Sequence, residues 1–229
     1  MSSRKRFWQS VSVGERDGLF SPELDGRPIR LPQGTVLAVA SQSLAQAIAA
    51  EWEAIPKDAS FTPEQLSMTR VAGTMIERIR PDLIEAREAL LRLGLDDGLC
   101  YRKGSADSTV ERVFAWLATQ GIRPEVTDGL MPVTQSGDYV TGLERLLSRQ
   151  GEAELAALGV LTQCFGSLLL SLALVYGAIS MEEATFVANA DERQQLLVWG
   201  QDDELIRIMA IREKDAAETV QFLKLARNT

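Results

Sequence analysis

Residues Leu24–Trp52 read LDGRPIRLPQGTVLAVASQSLAQAIAAEW, and a change of period inside this run decides the fold class. Up to Ala40 the pattern is that of short strands and turns. Asp25-Gly26 is the pair that favours a tight hairpin, Pro32-Gln33-Gly34 closes a third strand, and Thr35 to Val39 supplies a fourth. Upstream, Val11 and Val13 alternate with polar residues and Glu15-Arg16-Asp17-Gly18 makes a turn. From Ser41 the period becomes helical. Ser41 suits an N-cap, and Leu44, Ile48 and Trp52 recur at i, i+4 and i+8. Ala45 and Ala49 widen that stripe, Glu51 sits at its edge, and Pro56 ends the element. Trp52 is therefore expected to dock the helix on the β module, so that Trp52→Ala lowers the melting temperature. The fold class expected is α+β: a small N-terminal antiparallel β module with its first helix over residues 1–58, then a mainly α-helical domain over 59–229.

Working outward, a second helix is expected from Thr62-Pro63-Glu64 to Ile79, with Pro at the first helical position. Others follow over 82–93, 107–120, 137–149, 152–177, 181–199 and 202–227. Residues 96–102 read as a structured connection. The turn-rich stretch Gly121 to Ser136 is the best candidate for a mobile loop. Leu155 to Met181 carries no charged side chain and on length alone could span a bilayer. Gln163, Gly166, Ser167 and Ser171 interrupt it, and its flanks are acidic instead of basic. It reads as a buried central helix, not a membrane span. No apolar segment follows Arg4-Lys5-Arg6, so no secretory signal is expected.

Composition excludes several function classes. The chain has 229 residues, 45% of them hydrophobic, and a net charge of −8, which disfavours a nucleic-acid partner. Residues 1–40 hold six basic and four acidic side chains, so the acidity resides in the helical remainder, with 18 against 28. With no histidine, imidazole bases, Ser-His-Asp catalysis and His-ligated zinc are impossible. Cys100 and Cys164 stand far apart without a CxxC; they could pair in an oxidising compartment, but two lone thiols in a reduced cytosol is the preferred reading. No phosphate-binding glycine loop and no nucleophile elbow occur. Carboxylates cluster at Asp96-Asp97, Glu182-Glu183, Asp191-Glu192 and Asp202-Asp203-Glu204. The second and last of these fall at helix starts, where the dipole favours them. The residues by themselves therefore point to an interaction protein, not an enzyme, with no catalytic residue, cofactor or metal.

Seven strings in order carry a resemblance: FWQSVSV (Phe7–Val13), LDGRPIRLP (Leu24–Pro32), SQSLAQAIAAEW (Ser41–Trp52), LSMTRVAGT (Leu66–Thr74), DDGLCYR (Asp96–Arg102), GSLLLSLAL (Gly166–Leu174) and ADERQQLLVWG (Ala190–Gly200). Together they resemble the mitochondrial and alphaproteobacterial chaperones that assemble the F-type ATP synthase by binding its α subunit. The chain departs from the family pattern after Tyr101-Arg102, where Val113 to Gln120 replaces a Trp-Asp-Pro-like stretch. It departs again at Asp191-Glu192-Arg193, where the third position of an acidic run is basic.

The resemblance implies a molecular chaperone that holds the unassembled α subunit and shields its β-facing surface, without nucleotide hydrolysis. Asp191, Glu192, Trp199 and Glu204 become the candidate partner-binding residues, Asp191 and Glu192 either touching the partner or shaping the helix that does. Glu192→Lys is then expected to weaken α capture without unfolding the chain. A cytoplasmic bacterial form is expected, with the mitochondrial matrix for organellar members, and a monomer. Two other readings compete: a peripheral membrane protein resting Leu155–Met181 on lipid, and an enzyme that uses a carboxylate pair with a divalent cation.

Overall fold

A computed structural model of the chain describes residues 4–101, 108–129 and 131–228. Residues 1–3, Arg102 of the expected connection, the start of the helix expected at 107, and Leu130 of the turn-rich stretch lie outside them. Two compact units form. One comprises Met1–Leu83 with Glu218–Thr229, and the other Ile84–Ala217. The residues between 59 and 83 thus fold with the β module, as do residues 218–228.

The first unit contains strands β1 (Arg4–Lys5), β2 (Val11–Arg16), β3 (Leu19–Leu24) and β4 (Arg27–Pro28), helix α1 (Gln42–Glu53), strand β5 (Ser60–Phe61) and helix α2 (Ser67–Thr74). Strands β2, β3 and β4 form an antiparallel meander, with Val11 opposite Leu24 and Arg16 opposite Leu19. Both of its turns are built on an Asp-Gly pair with positive φ at each residue, Asp17-Gly18 and Asp25-Gly26. This is the primed geometry whose twist suits a two-residue hairpin. Thr35 to Val39 is not a continuous fourth strand. It meets the sheet at two isolated bridges, Arg30 to Val36 and Phe20 to Val39. The chain is turned at Gly34 (φ 91°) and closed by Leu31 N–H to the Thr35 carbonyl at 2.8 Å, which leaves only separate points of pairing.

Helix α1 packs on β2 and β3 through the stripe read from its sequence: Leu44, Ala45, Ile48, Ala49 and Trp52 are all buried. The Ser41 hydroxyl accepts from Leu44 N–H at 3.2 Å as its cap. The Trp52 ring lies 5.1 Å from Trp8 and 5.7 Å from Phe61, edge to face, and its Nε1 donates to Thr69 Oγ1 at 3.0 Å. Glu51 does more than edge a stripe. Its carboxylate accepts from Met68 N–H (2.6 Å), Thr69 N–H (3.0 Å) and Thr69 Oγ1 (2.9 Å), which caps the first turn of α2. Burial pushes the Glu51 pKa up, against the pull of those three donors. The expected helix from Thr62 to Ile79 is realised in three pieces. A 3₁₀ turn at Pro63–Gln65 precedes α2, and a π-turn at Met75–Ile79 follows it.

The second unit is helical: α3 (Leu83–Leu95), α4 (Ser108–Thr119), α5 (Gly137–Ser148), α6 (Glu152–Phe165), α7 (Leu168–Val175), α8 (Met181–Ala188), α9 (Ala190–Trp199) and α10 (Asp203–Ala226), the last of which ends in the first unit. The uncharged stretch is indeed the core, with six of the eight residues of α7 buried. It is not one helix over 152–177. It breaks at Gly166, which takes φ 66°, and restarts at Ser167, whose hydroxyl accepts from Leu170 N–H at 3.0 Å. No helix among the described residues is long and apolar enough to cross a membrane. The expected helix over 181–199 likewise divides at Asn189 into α8 and α9. Burial along α10 concentrates at Ala216, Thr219, Phe222 and Leu223, while Leu205 and Met209 are half-buried.

Candidate partner-binding surface

Helix α9 holds three of the four candidate residues, and none of its ten residues is buried. Such a helix gains little from the hydrophobic core, so polar ties must place it. Asp191 and Glu192 lie in its first turn, where carboxylates oppose the positive end of the helix dipole. The Glu192 carboxylate accepts from Arg212 Nη1 of α10 at 2.8 Å, with the two side chains 20% and 43% exposed. Arg193 stacks its guanidinium 3.7 Å from the centroid of the Phe186 ring on α8 and donates to the Phe186 carbonyl. The basic third position of the acidic run therefore anchors α9 to the helix before it.

The far end of α9 is apolar and open. Leu197 is 80% exposed, Val198 60% and Trp199 85%, and the helix then stops at Gly200 with φ 90°. Consecutive apolar side chains point round a helix in different directions, so no single internal face could bury all three. These three side chains form a contiguous exposed apolar set in a unit whose core is otherwise well filled.

Asp191 and Glu192 also line a groove of about 390 Å³ in the same unit, together with Gln195, Arg212 and the break between α6 and α7. Asp97 holds that break from beneath. It is fully buried, and its carboxylate accepts from Ser167 Oγ (2.6 Å), Leu169 N–H (3.0 Å) and Leu99 N–H (2.9 Å). Burial pushes its pKa up more strongly than these donors lower it. Cys100, also buried, has its thiol pushed up to about 12 by burial and by the nearby Asp97 charge, and no disulfide joins it to Cys164.

The structure brings Asp191 and Glu192 together on one groove and sets Trp199 and Glu204 outside its lining. Glu204 lies in the first turn of α10 and is held by Arg207 at 2.6 Å, a pair that keeps the Glu204 carboxyl below its usual range. The other carboxylate pairs serve as helix caps. Glu183 completes a capping box with Ser180, and Asp202 accepts from Glu204 N–H at 3.0 Å and Leu205 N–H at 3.1 Å. Among the described residues, no cluster of three or more His, Cys, Asp or Glu is arranged to hold a metal ion.

Sequence reading missed Leu197, Val198, Phe186 and Arg212. The first two carried a signal, since a helix whose apolar residues stand side by side at one end cannot be placing them on a buried stripe. Arg212 carried none, because its partner lies 20 residues earlier on another helix.

The scaffold is shared with known proteins. Residues 5–116 match the family model described as ATP12 chaperone protein. The mitochondrial protein atp12 of Schizosaccharomyces pombe is 23% identical over 219 residues, covering 86% of this chain and 74% of that protein. The crystal structure of Atp12 from Paracoccus denitrificans aligns with a TM-score of 0.82 at 30% identity, over 97% of this chain and 98% of the other. An aspartate-to-lysine variant of the Paracoccus protein aligns with a TM-score of 0.83 at 29% identity. A protein of Agrobacterium tumefaciens aligns with a TM-score of 0.85 at 31% identity, over 97% of this chain and 86% of the other.

Proposed function

We propose that this chain, which belongs to the ATP12 family of ATP synthase assembly chaperones, captures the unassembled α subunit of the F-type enzyme and covers its β-facing surface until assembly. The observation that carries this reading is the open end of α9, where Leu197, Val198 and Trp199 together offer apolar surface that the chain itself does not use. An orphan subunit exposes the apolar face meant for its neighbour and aggregates through it. A chaperone must cover that face and later release it. A few apolar anchors within a polar rim meet both demands, because such interfaces bind by a small number of side chains and not by sheer area. Asp191 and Glu204 supply the acidic rim, Glu192 seats α9 through Arg212, and Trp199 is the central anchor. The protein acts as a monomer in the bacterial cytoplasm, without a cofactor or a catalytic step.

The test is co-expression of the tagged chain with the α and β subunits of the synthase, each alone and both together. Soluble complex with α alone, and none with β alone, is the expected result. Recovery of β in place of α would overturn the proposal. Flotation with liposomes tests lipid as the target of the apolar end: the chain is expected to remain at the bottom of the gradient, since Asp202, Asp203 and Glu204 follow Trp199 closely and repel anionic headgroups.

A further inference from the structure

A second groove, of about 640 Å³, lies in the first unit and shares no residue with the surface of α9. Its size falls in the range of clefts that hold small ligands and short peptide segments. Leu31, Trp52, Phe61 and Leu66, all buried, line it as an apolar floor. Four exposed arginines line it as well: Arg4, Arg30, Arg70 and Arg78. Arg30 donates to the Gly34 carbonyl at 2.8 Å. Among the described residues, Arg4, Arg70 and Arg78 form no ion pair. Of the described residues that line the groove, Glu77 alone brings a carboxylate, and it is occupied by Gln33 N–H at 3.0 and 3.2 Å.

Four arginines line the groove beside one engaged carboxylate, with Glu64 outside the lining acting on Arg70; this is the reverse of the chain's overall balance, in which 32 acidic residues outnumber 24 basic ones. Gathering like charges in this way costs stability where the groups face one another. We propose that the groove docks an extended acidic peptide segment of a protein client, with an apolar side chain seated on Trp52 and Phe61 and carboxylates held by Arg70 and Arg78. Arginine forks match carboxylates in a two-pronged geometry, and the apolar floor gives a peptide side chain a place that a phosphate headgroup or a nucleic-acid backbone does not use. The net charge of −8 opposes large polyanions at long range, whereas a short acidic segment feels chiefly the local arginines. The site does not depend on the reading of α9, and its test involves neither synthase subunit.

The experiment titrates the full chain into a fluorescein-labelled synthetic peptide of alternating Glu and Leu, read by fluorescence anisotropy, beside a matched peptide with Lys in place of Glu. Binding of the acidic peptide that weakens with added salt is expected. The double variant Arg70→Gln/Arg78→Gln should lose about tenfold in affinity, Arg70→Glu/Arg78→Glu more, and Trp199→Ala nothing. A thermal melt of each variant establishes that it is folded, and the milder Gln pair serves if the Glu pair is not. Unchanged affinity in a folded double variant, or equal binding of the Lys peptide, overturns the proposal. Retention on phosphatidylglycerol vesicles at a salt concentration where the peptide has dissociated would assign the groove to lipid and overturn it as well.

Discussion

Trp199→Ala separates an interaction anchor from a structural residue more sharply than any other single change. A tryptophan side chain can bury about 150–250 Å², and Trp199 leaves 85% of its surface open, so nearly all of that is available to a partner. At about 25 cal/mol per Å² the upper bound is roughly 3–5 kcal/mol. Alanine keeps the Cβ, and interfaces return only part of the area-based figure, so the expected loss is about 2–3 kcal/mol, or ~30- to 150-fold in affinity. Folding should be indifferent, because a residue this exposed contributes within about 0.5 kcal/mol.

The assay is a concentration series of wild-type and variant chain competing for tagged α subunit, with a thermal melt of each. Phe7→Ala is the control. Phe7 is 74% exposed and lies in the other unit, so its removal tests whether any open aromatic residue would do. The expected pattern is strong loss for Trp199→Ala, no loss for Phe7→Ala, and coincident melting curves. Undiminished capture by Trp199→Ala, or equal loss with Phe7→Ala, refutes the assignment of α9 as the contact.

Asp97→Ala should destabilise without touching the candidate surface. It strands two backbone N–H groups and the Ser167 hydroxyl in the core, at about 1–3 kcal/mol each, offset in part by relief of a buried charge; a net loss of about 3 kcal/mol is expected, or roughly 6–12 °C in Tm. Because burial raises the Asp97 pKa in the folded chain, its contribution to stability is full below the unfolded value and falls as pH rises through the folded one. The deficit of Asp97→Ala should therefore widen on acidification from pH 7 towards pH 4, and a deficit that narrows, by denaturant titration, contradicts the buried-carboxylate account. Trp52→Ala should cost about 3–5 kcal/mol through lost contact with Trp8 and Phe61; calorimetry showing an unchanged melt would remove Trp52 from the core.

The parts of the fold that sequence made legible are those governed by neighbours in the chain. The stripe Leu44-Ile48-Trp52 and the two Asp-Gly turns need only their own spacing and backbone preference, and they form as read. The break at Gly166 was hidden because apolar periodicity continues through it. What stops the helix is a glycine in the left-handed region together with a carboxylate 70 residues upstream that satisfies the next helix's first amides. Glu51 shows the same limit: its spacing places it only at the edge of a stripe, yet its acceptors are filled by the start of another helix. On the candidate surface, Asp191, Glu192 and Trp199 could be named from local strings, whereas what fixes their helix could not. Those ties run to Phe186 and Arg212 on neighbouring helices.

That last point changes how Glu192 should be tested. A lysine at this position would face the Arg212 guanidinium across the gap that now holds an ion pair of 2.8 Å. The repulsion would displace the first turn of α9, which has no buried side chain to resist it. Loss of capture in Glu192→Lys therefore follows whether Glu192 touches the partner or merely seats the helix. The pair is partly exposed and is worth about 0.5–1 kcal/mol, so global stability barely moves and a melt cannot separate the two roles. The charge swap can. In Glu192→Lys/Arg212→Glu the attraction between α9 and α10 is restored with its sign exchanged, and the sign presented to the partner at position 192 stays reversed. If Glu192 is a positioning residue, as the hydrogen bond to Arg212 argues, capture returns to near the wild-type level in the swap. Capture that stays lost in the swap, with Arg212→Glu alone retaining it, would refute the positioning role and make the carboxylate itself the contact.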